Sequence, residues 1–151
     1  VKISAMVFAI LIGATAFSMA FSYTGGDRVV EEYLLQLPGE KWGFLIFSML
    51  FILFLGFFID FVEIAFIVVP ILLPIAVALG IPLLWYAILI AMNLQTSFLT
   101  PPFGFSLFYL KGVAPAEIKT TDSYRGVTPF ILIQITVLVS ILSFPQLYGL
   151  G

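Results

Sequence analysis

The chain has 151 residues, of which 62% are hydrophobic and only 9% charged, with a net charge of −2 and a mean hydropathy of +1.22. Soluble domains carry about 25% charged residues, so this composition points to an integral membrane protein; its thin charge argues against nucleic acid as a partner and against a basic lipid-binding patch. The absence of cysteine and histidine excludes disulfides, thiolate nucleophiles, histidine general bases and nearly all zinc or haem sites.

The chain opens on Val1-Lys2, and its first apolar stretch is longer than a secretory h-region and has no small-residue cleavage site behind it. It reads as a piece of a longer protein. A first span is expected from Ile3 to Ser22, roughly 30 Å at 1.5 Å per residue, one hydrocarbon thickness. Gly25-Gly26 ends it. From Asp27 to Gln36, charges at Asp27, Arg28, Glu31 and Glu32 alternate with apolar Val29, Val30, Tyr33 and Leu34. That spacing suits a short amphipathic helix in the membrane interface, and equally a connecting helix packed on its neighbours.

Trp42 to Leu79 as one helix would measure about 57 Å, too long for a single crossing. Asp60-Phe-Val-Glu63 divides it into arms of about 16 residues, some 24 Å each, short of the roughly 30 Å core, so a re-entrant hairpin is expected. Asp60 followed by Glu63 has the form of a capping box that starts the second arm. Gly56 lies where backbone can turn or approach an ion closely. Pro70 and Pro74 are expected to kink the second arm.

Pro82 suits the first turn of a helix from Leu83 to Leu99. The polar, proline-bearing run Asn93-Leu-Gln-Thr-Ser-Phe-Leu-Thr100-Pro-Pro-Phe-Gly104 interrupts it, and Phe103 to Leu110 resumes it. Pro101 and Pro102 have no amide hydrogen for the carbonyls of Ser97 and Phe98, four residues back, which predicts free carbonyls there. In a bilayer such carbonyls need protein, a watery cavity or a bound cation, and broken helices of this kind build ion and substrate sites in transporters. Lys111 to Gly126 reads as a polar loop and Val127 to Tyr148 as a last span, with Pro129 in its first turn and Pro145 near its end. If residues 42–79 return to the side they entered from, Lys2, Lys111, Lys119 and Arg125 share one side and Arg28 and Lys41 the other. The positive-inside rule then makes the first side cytoplasmic; two short full spans would give the same sidedness.

Thr100 can serve either as an ion ligand or as a hydroxyl that re-satisfies the broken backbone. Asn93, Ser97 and Thr100 fall near one helix face, so Asn93 suits interhelical hydrogen bonding as well as substrate contact. Asp60 and Glu63 are expensive in lipid and are expected to face protein or water; capping at the hairpin tip is the favoured role, with ion or substrate binding as the other. An enzyme is disfavoured, because this is the sole usable acid–base pair and no nucleophile or metal cluster accompanies it.

Gly56-Phe-Phe-Ile-Asp60, Pro70-Ile-Leu-Leu-Pro74, Asn93-Leu and Leu99-Thr-Pro-Pro-Phe-Gly104 occur in an order and spacing that resemble the C-terminal portion of the large permease subunit of TRAP (tripartite ATP-independent periplasmic) transporters. The resemblance covers essentially the whole chain, and its wording with Phe108-Tyr-Leu-Lys-Gly-Val-Ala-Pro115 is similar to the mannitol/chloroaromatic-type branch. It implies an all-α integral membrane fold, the second half of an inverted-repeat elevator transporter with a re-entrant hairpin and a discontinuous helix. Residues 1–41 would be a scaffold-type span plus interfacial helix. Residues 42–151 would belong to the transport domain, with the hairpin at 42–79, the broken helix at 83–111, a cytoplasmic loop at 112–126 and a last helix at 127–148.

The implied function is a sodium-coupled symporter in the bacterial inner membrane, importing an organic acid delivered by a periplasmic substrate-binding protein. A small four-helix membrane subunit and the remainder of the large permease chain are the implied partners, and sodium, as coupling ion, is the only implied ligand besides the acid. The family's sodium positions fall on Gly56, Ser97, Thr100 and Phe103, with Pro101, Pro102 and Gly104 forming the helix break; the family usually has glycine where this chain has Ser97. The competing class is a structural or assembly subunit that transports nothing.

Overall fold

The computed structural model describes residues 2–100, 110 and 120–150, and every regular element among them is helical. Helix α1 (Lys2–Tyr23) ends where the Thr24 hydroxyl turns back onto the Ala20 and Phe21 carbonyls, each at 3.0 Å. Gly25 then takes a φ of 77°, a left-handed conformation that side chains resist. Helix α2 (Gly26–Leu35) leaves at a bend of 75° from α1. Leu34 is buried and Val30 packs against the core, while Val29 and Tyr33 stay exposed beside Arg28 and Glu32, so the apolar side of α2 meets protein only in part.

Helix α3 (Lys41–Leu55) has 15 residues, about 22 Å by rise per residue, as short as expected. Helix α4 (Phe61–Ala78) has 18 residues and is long and apolar enough to cross a membrane, so the shortness expected of both arms holds for the first alone. Its prolines do not break it. A π-turn at Ile64–Val68 precedes Pro70, and the Val69 amide bonds the Ile64 carbonyl five residues back. The widened turn accommodates a residue that has no amide and whose ring crowds the carbonyl four back.

Helix α5 (Leu83–Leu99) follows, with Pro82 at its N-cap. Helix α6 (Thr120–Ser143) also has crossing length, and a third crossing arises if Val7–Tyr23 and α2 form one bent span. The helix starts earlier than the expected Val127, taking in residues 120–126 that were read as loop, so Pro129 lies inside it rather than in its first turn. Asp122 in the first turn complements the helix dipole, and the helix survives Pro129 by leaving one carbonyl, that of Arg125, without its usual donor. The far end stops at Ser143, and Pro145–Tyr148 forms a 3₁₀ turn.

The beginnings of α3 and α5 and the end of α6 meet at one end of the bundle. Trp42 and Trp85 rings lie 6.2 Å apart, edge to face, and Lys41 Nζ sits 5.1 Å over the Trp85 ring. Trp85 Nε1 donates to the Ile141 carbonyl at 2.9 Å. Pro145, four residues on from Ile141, has no amide to offer that oxygen, and the buried indole supplies the donor instead. At the opposite end Phe61 meets Phe98 edge to face at 6.1 Å. Residues 42–79 thus return to the end from which they start. Phe44, Leu45, Ile52, Ile75, Trp85 and Leu89 fill the centre between α3, α4 and α5, each at 2% exposure or less.

Candidate functional site

Gly56 caps the C-terminus of α3 with helical backbone angles, φ −64° and ψ −8°, so it is not there to supply a left-handed turn. Its role is close approach. A Cβ built on Gly56 would lie 2.6 Å from the Ser97 Cβ and nearer still to Ser97 Oγ, a separation that packed atoms do not tolerate. The end of α3 and the last turns of α5 therefore touch through a glycine on one side and a serine on the other. Among the described residues no hydrogen bond reaches the Gly56 carbonyl.

Ser97 is 2% exposed, and its hydroxyl donates to the Leu94 carbonyl at 2.9 Å. The expectation that its own carbonyl is left free is corrected by the structure: the Thr100 amide donates to it at 3.1 Å. Loss of the Pro101 donor is met by tightening the last turn from an i+4 to an i+3 bond, as helix ends commonly do. A carbonyl has two lone pairs, so one remains. Thr100 caps α5 in an extended conformation, and its hydroxyl donates to the Thr96 carbonyl at 2.6 Å, so it does re-satisfy backbone. The hydroxyl oxygen keeps its lone pairs after giving up its proton. Pro101, Pro102, Phe103 and Gly104, and with them the resumed helix up to Tyr109 and the loop residues 111–119, lie outside the described residues.

Asn93, one turn before Ser97, is 1% exposed and bridges helices: its Nδ2 donates to the Met49 carbonyl on α3 at 2.6 Å. Its Oδ1 is buried without a partner among the described residues. Asp60 occupies the N-cap of α4 with Oδ1 accepting from the Phe61 amide at 2.6 Å. The expected capping box is incomplete, since Glu63 makes no return bond and, among the described residues, its Oε2 is buried without a partner. The bond to the immediately following amide and the π-turn begun at Ile64 give this helix start a geometry other than the box requires.

Two more polar residues line the seam and were not singled out in the sequence. Ser48 and Thr96 are fully buried, and each hydroxyl returns to its own helix, to Leu45 at 3.0 Å and Met92 at 2.8 Å. Such back-bonding lets a hydroxyl sit in an apolar interface without an external partner. The available signal was a serine isolated in the apolar run Lys41–Leu55. Trp85 was also missed, although Pro145 marks Ile141 as a carbonyl in need of a donor.

Comparison with known proteins places the chain in a family. Residues 1–147 match the model of the tripartite ATP-independent periplasmic transporter, DctM component. Over 97% of its length the chain is 30% identical to the sialic acid TRAP transporter large permease protein SiaM of Vibrio cholerae, covering 34% of that protein. It is 30% identical, over 99% of its length, to the C4-dicarboxylate TRAP transporter large permease protein DctM of Rhodobacter capsulatus, covering 35% of it. The sialic acid TRAP transporter permease protein SiaT of Haemophilus influenzae is 38% identical over 64% of this chain and is covered over 15% of its own length. The chain thus spans about a third or less of these curated relatives, and their names do not include the mannitol/chloroaromatic label. No solved structure matches it. The family match over nearly the whole chain agrees with its apolar helices, and the chain belongs to the DctM family of TRAP transporter large permeases.

Proposed function

We propose that the chain forms part of the transport machinery of a sodium-coupled symporter that imports an organic acid across the bacterial inner membrane. A periplasmic binding protein delivers the acid, and a small four-helix membrane subunit and the remainder of the permease complete the complex. The relatives named above, and an isethionate TRAP transporter permease protein of Oleidesulfovibrio alaskensis 31% identical over 90% of this chain, carry the names of organic acids. The likeness of Asn93–Gly104 to the mannitol/chloroaromatic-type branch belongs to this reading as a sequence label and specifies no substrate.

The observation that carries the reading is the contact of Gly56 with Ser97 where α3 and α5 both end. Two helix ends that meet bring backbone carbonyls together, and hard cations take oxygen ligands. Sodium enters as a co-transported substrate, held by the Gly56 and Ser97 carbonyls and the Thr100 hydroxyl, with Phe103 as the further ligand position. The donor set fits: the Gly56 oxygen accepts no other bond among the described residues, and Ser97 and Thr100 each retain lone pairs. Residues 42–79, as a hairpin entered from the periplasmic side, would travel with α5 as one body in an elevator motion, carrying ion and acid past α1 and α2.

The test is uptake against sodium concentration in the full complex. Thr100→Ala should raise the half-saturating sodium concentration about tenfold with normal expression, the scale of one lost charge-assisted contact. An unchanged value would make Thr100 a backbone cap alone and the ion site wrongly placed.

A further inference from the structure

We propose that the wedge between α1, α2 and α4 holds one phospholipid with an ethanolamine headgroup, a proposal that uses the membrane setting of the family and is independent of the sodium reading. Two adjoining recesses build it. The first is a cavity of about 410 Å³ reached by residues of α1, α2, α3 and α4, among them Phe21, Val30, Phe47 and Ile71, and it presents no polar surface. Without a polar group to hold water, such a space in a bilayer is taken by hydrocarbon, which restores the dispersion contacts that the lining atoms lack.

The second recess runs along α2 and is lined by Gly25, Arg28, Glu31 and Glu32. Val29 belongs to both, so the two recesses adjoin at that residue. Arg28 is exposed and, among the described residues, forms no ion pair. One cation beside two carboxylates complements a headgroup that carries one phosphate and one primary ammonium. Arg28 would take the phosphate in a charge-assisted pair, and the ammonium would donate to Glu31 or Glu32. A glycerol headgroup brings the phosphate but no cation for the carboxylates. A choline headgroup brings a cation that has no N–H to donate. The 75° bend of α2 away from α1 suits a helix lying at headgroup depth, with its apolar side over the acyl region.

The experiment is native mass spectrometry of the full permease complex in mild detergent, offered dioleoyl phosphatidylethanolamine, phosphatidylcholine or phosphatidylglycerol. Phosphatidylethanolamine should be retained about tenfold more strongly than either of the others, and Arg28→Glu should abolish the preference. Val29→Trp, which adds bulk where the two recesses adjoin, should lower retention of all three lipids. Because Arg28 is exposed, its variant decides the matter even if Val29→Trp disturbs folding. Equal retention of the three lipids, or a preference that survives Arg28→Glu, would overturn the proposal. So would a photo-crosslinker at Val29 that captures another segment of the permease or its small subunit instead of lipid.

Discussion

The seam between α3 and α5 and the wedge between α1, α2 and α4 are made largely of the same apolar residue types, yet the first is closed and the second holds a cavity of about 410 Å³. Along the seam Ser48, Asn93, Thr96 and Ser97 are all at 2% exposure or less, and Gly56 admits the Ser97 side chain. The wedge is walled by Phe17, Phe21, Val30 and Phe47, large side chains without hydrogen bonds to direct them. In lipid, apolar side chains gain little by choosing one another over acyl chains, so close mating depends on small residues and on polar groups that require a partner. The seam has both. It is therefore the place where one geometry is specified.

The largest effect expected on this contrast comes from Gly56→Val. The branched side chain would collide with Ser97 and force α3 and α5 apart, an overpacking cost of about 1–3 kcal/mol or more, seen as a lowered melting temperature and loss of uptake by the full complex. Gly56→Ala should do the same more mildly. Ser97→Gly introduced with Gly56→Ala should recover most of the loss, because it removes the atoms that the new Cβ meets; no recovery would mean that the contact is not what glycine serves.

Next comes Trp85→Phe, which keeps an aromatic ring but removes the donor to Ile141. The carbonyl then lacks both the indole and, because of Pro145, an amide, and about 1–3 kcal/mol of stability should be lost in detergent unfolding. A change within error would show that the carbonyl finds water or lipid headgroups. The smallest effect is expected from Asn93→Leu, which deletes the bridge to Met49. Interhelical bonds inside membranes average about 0.6 kcal/mol, and this variant also removes a buried oxygen that has no partner, so the net loss should stay below about 1.7 kcal/mol. A much larger loss in uptake than in stability would assign Asn93 to the substrate instead.

Much of the helix order was legible. Gly25 between α1 and α2, Asp60 at the start of α4, Pro82 at the start of α5 and Thr100 at its end fall where turn and cap chemistry placed them, because each acts within a few residues of itself. The miss at α6 has a local reason too. Gly126 and Pro129 are poor helix residues, and reading them as a boundary ignored that a helix tolerates both when few backbone bonds are lost. The pairing of Gly56 with Ser97 was legible only through family resemblance, since nothing in residues 42–79 says what the end of α3 will touch.

By itself the sequence determined that the protein lives in a membrane, that its helices are punctuated near residues 25, 60, 82 and 100, and that the polar run from Asn93 to Thr100 needs internal partners. These follow from solvation and from the missing amides of proline, which are properties of single residues and their near neighbours. Only the tertiary structure decided which partners were found. Asn93 binds a carbonyl 44 positions away and Trp85 one 56 positions away. The Ser97 carbonyl, by contrast, is met within its own turn. An unpaired backbone group states a requirement that several donors can fulfil, and the packing of one helix against another selects among them.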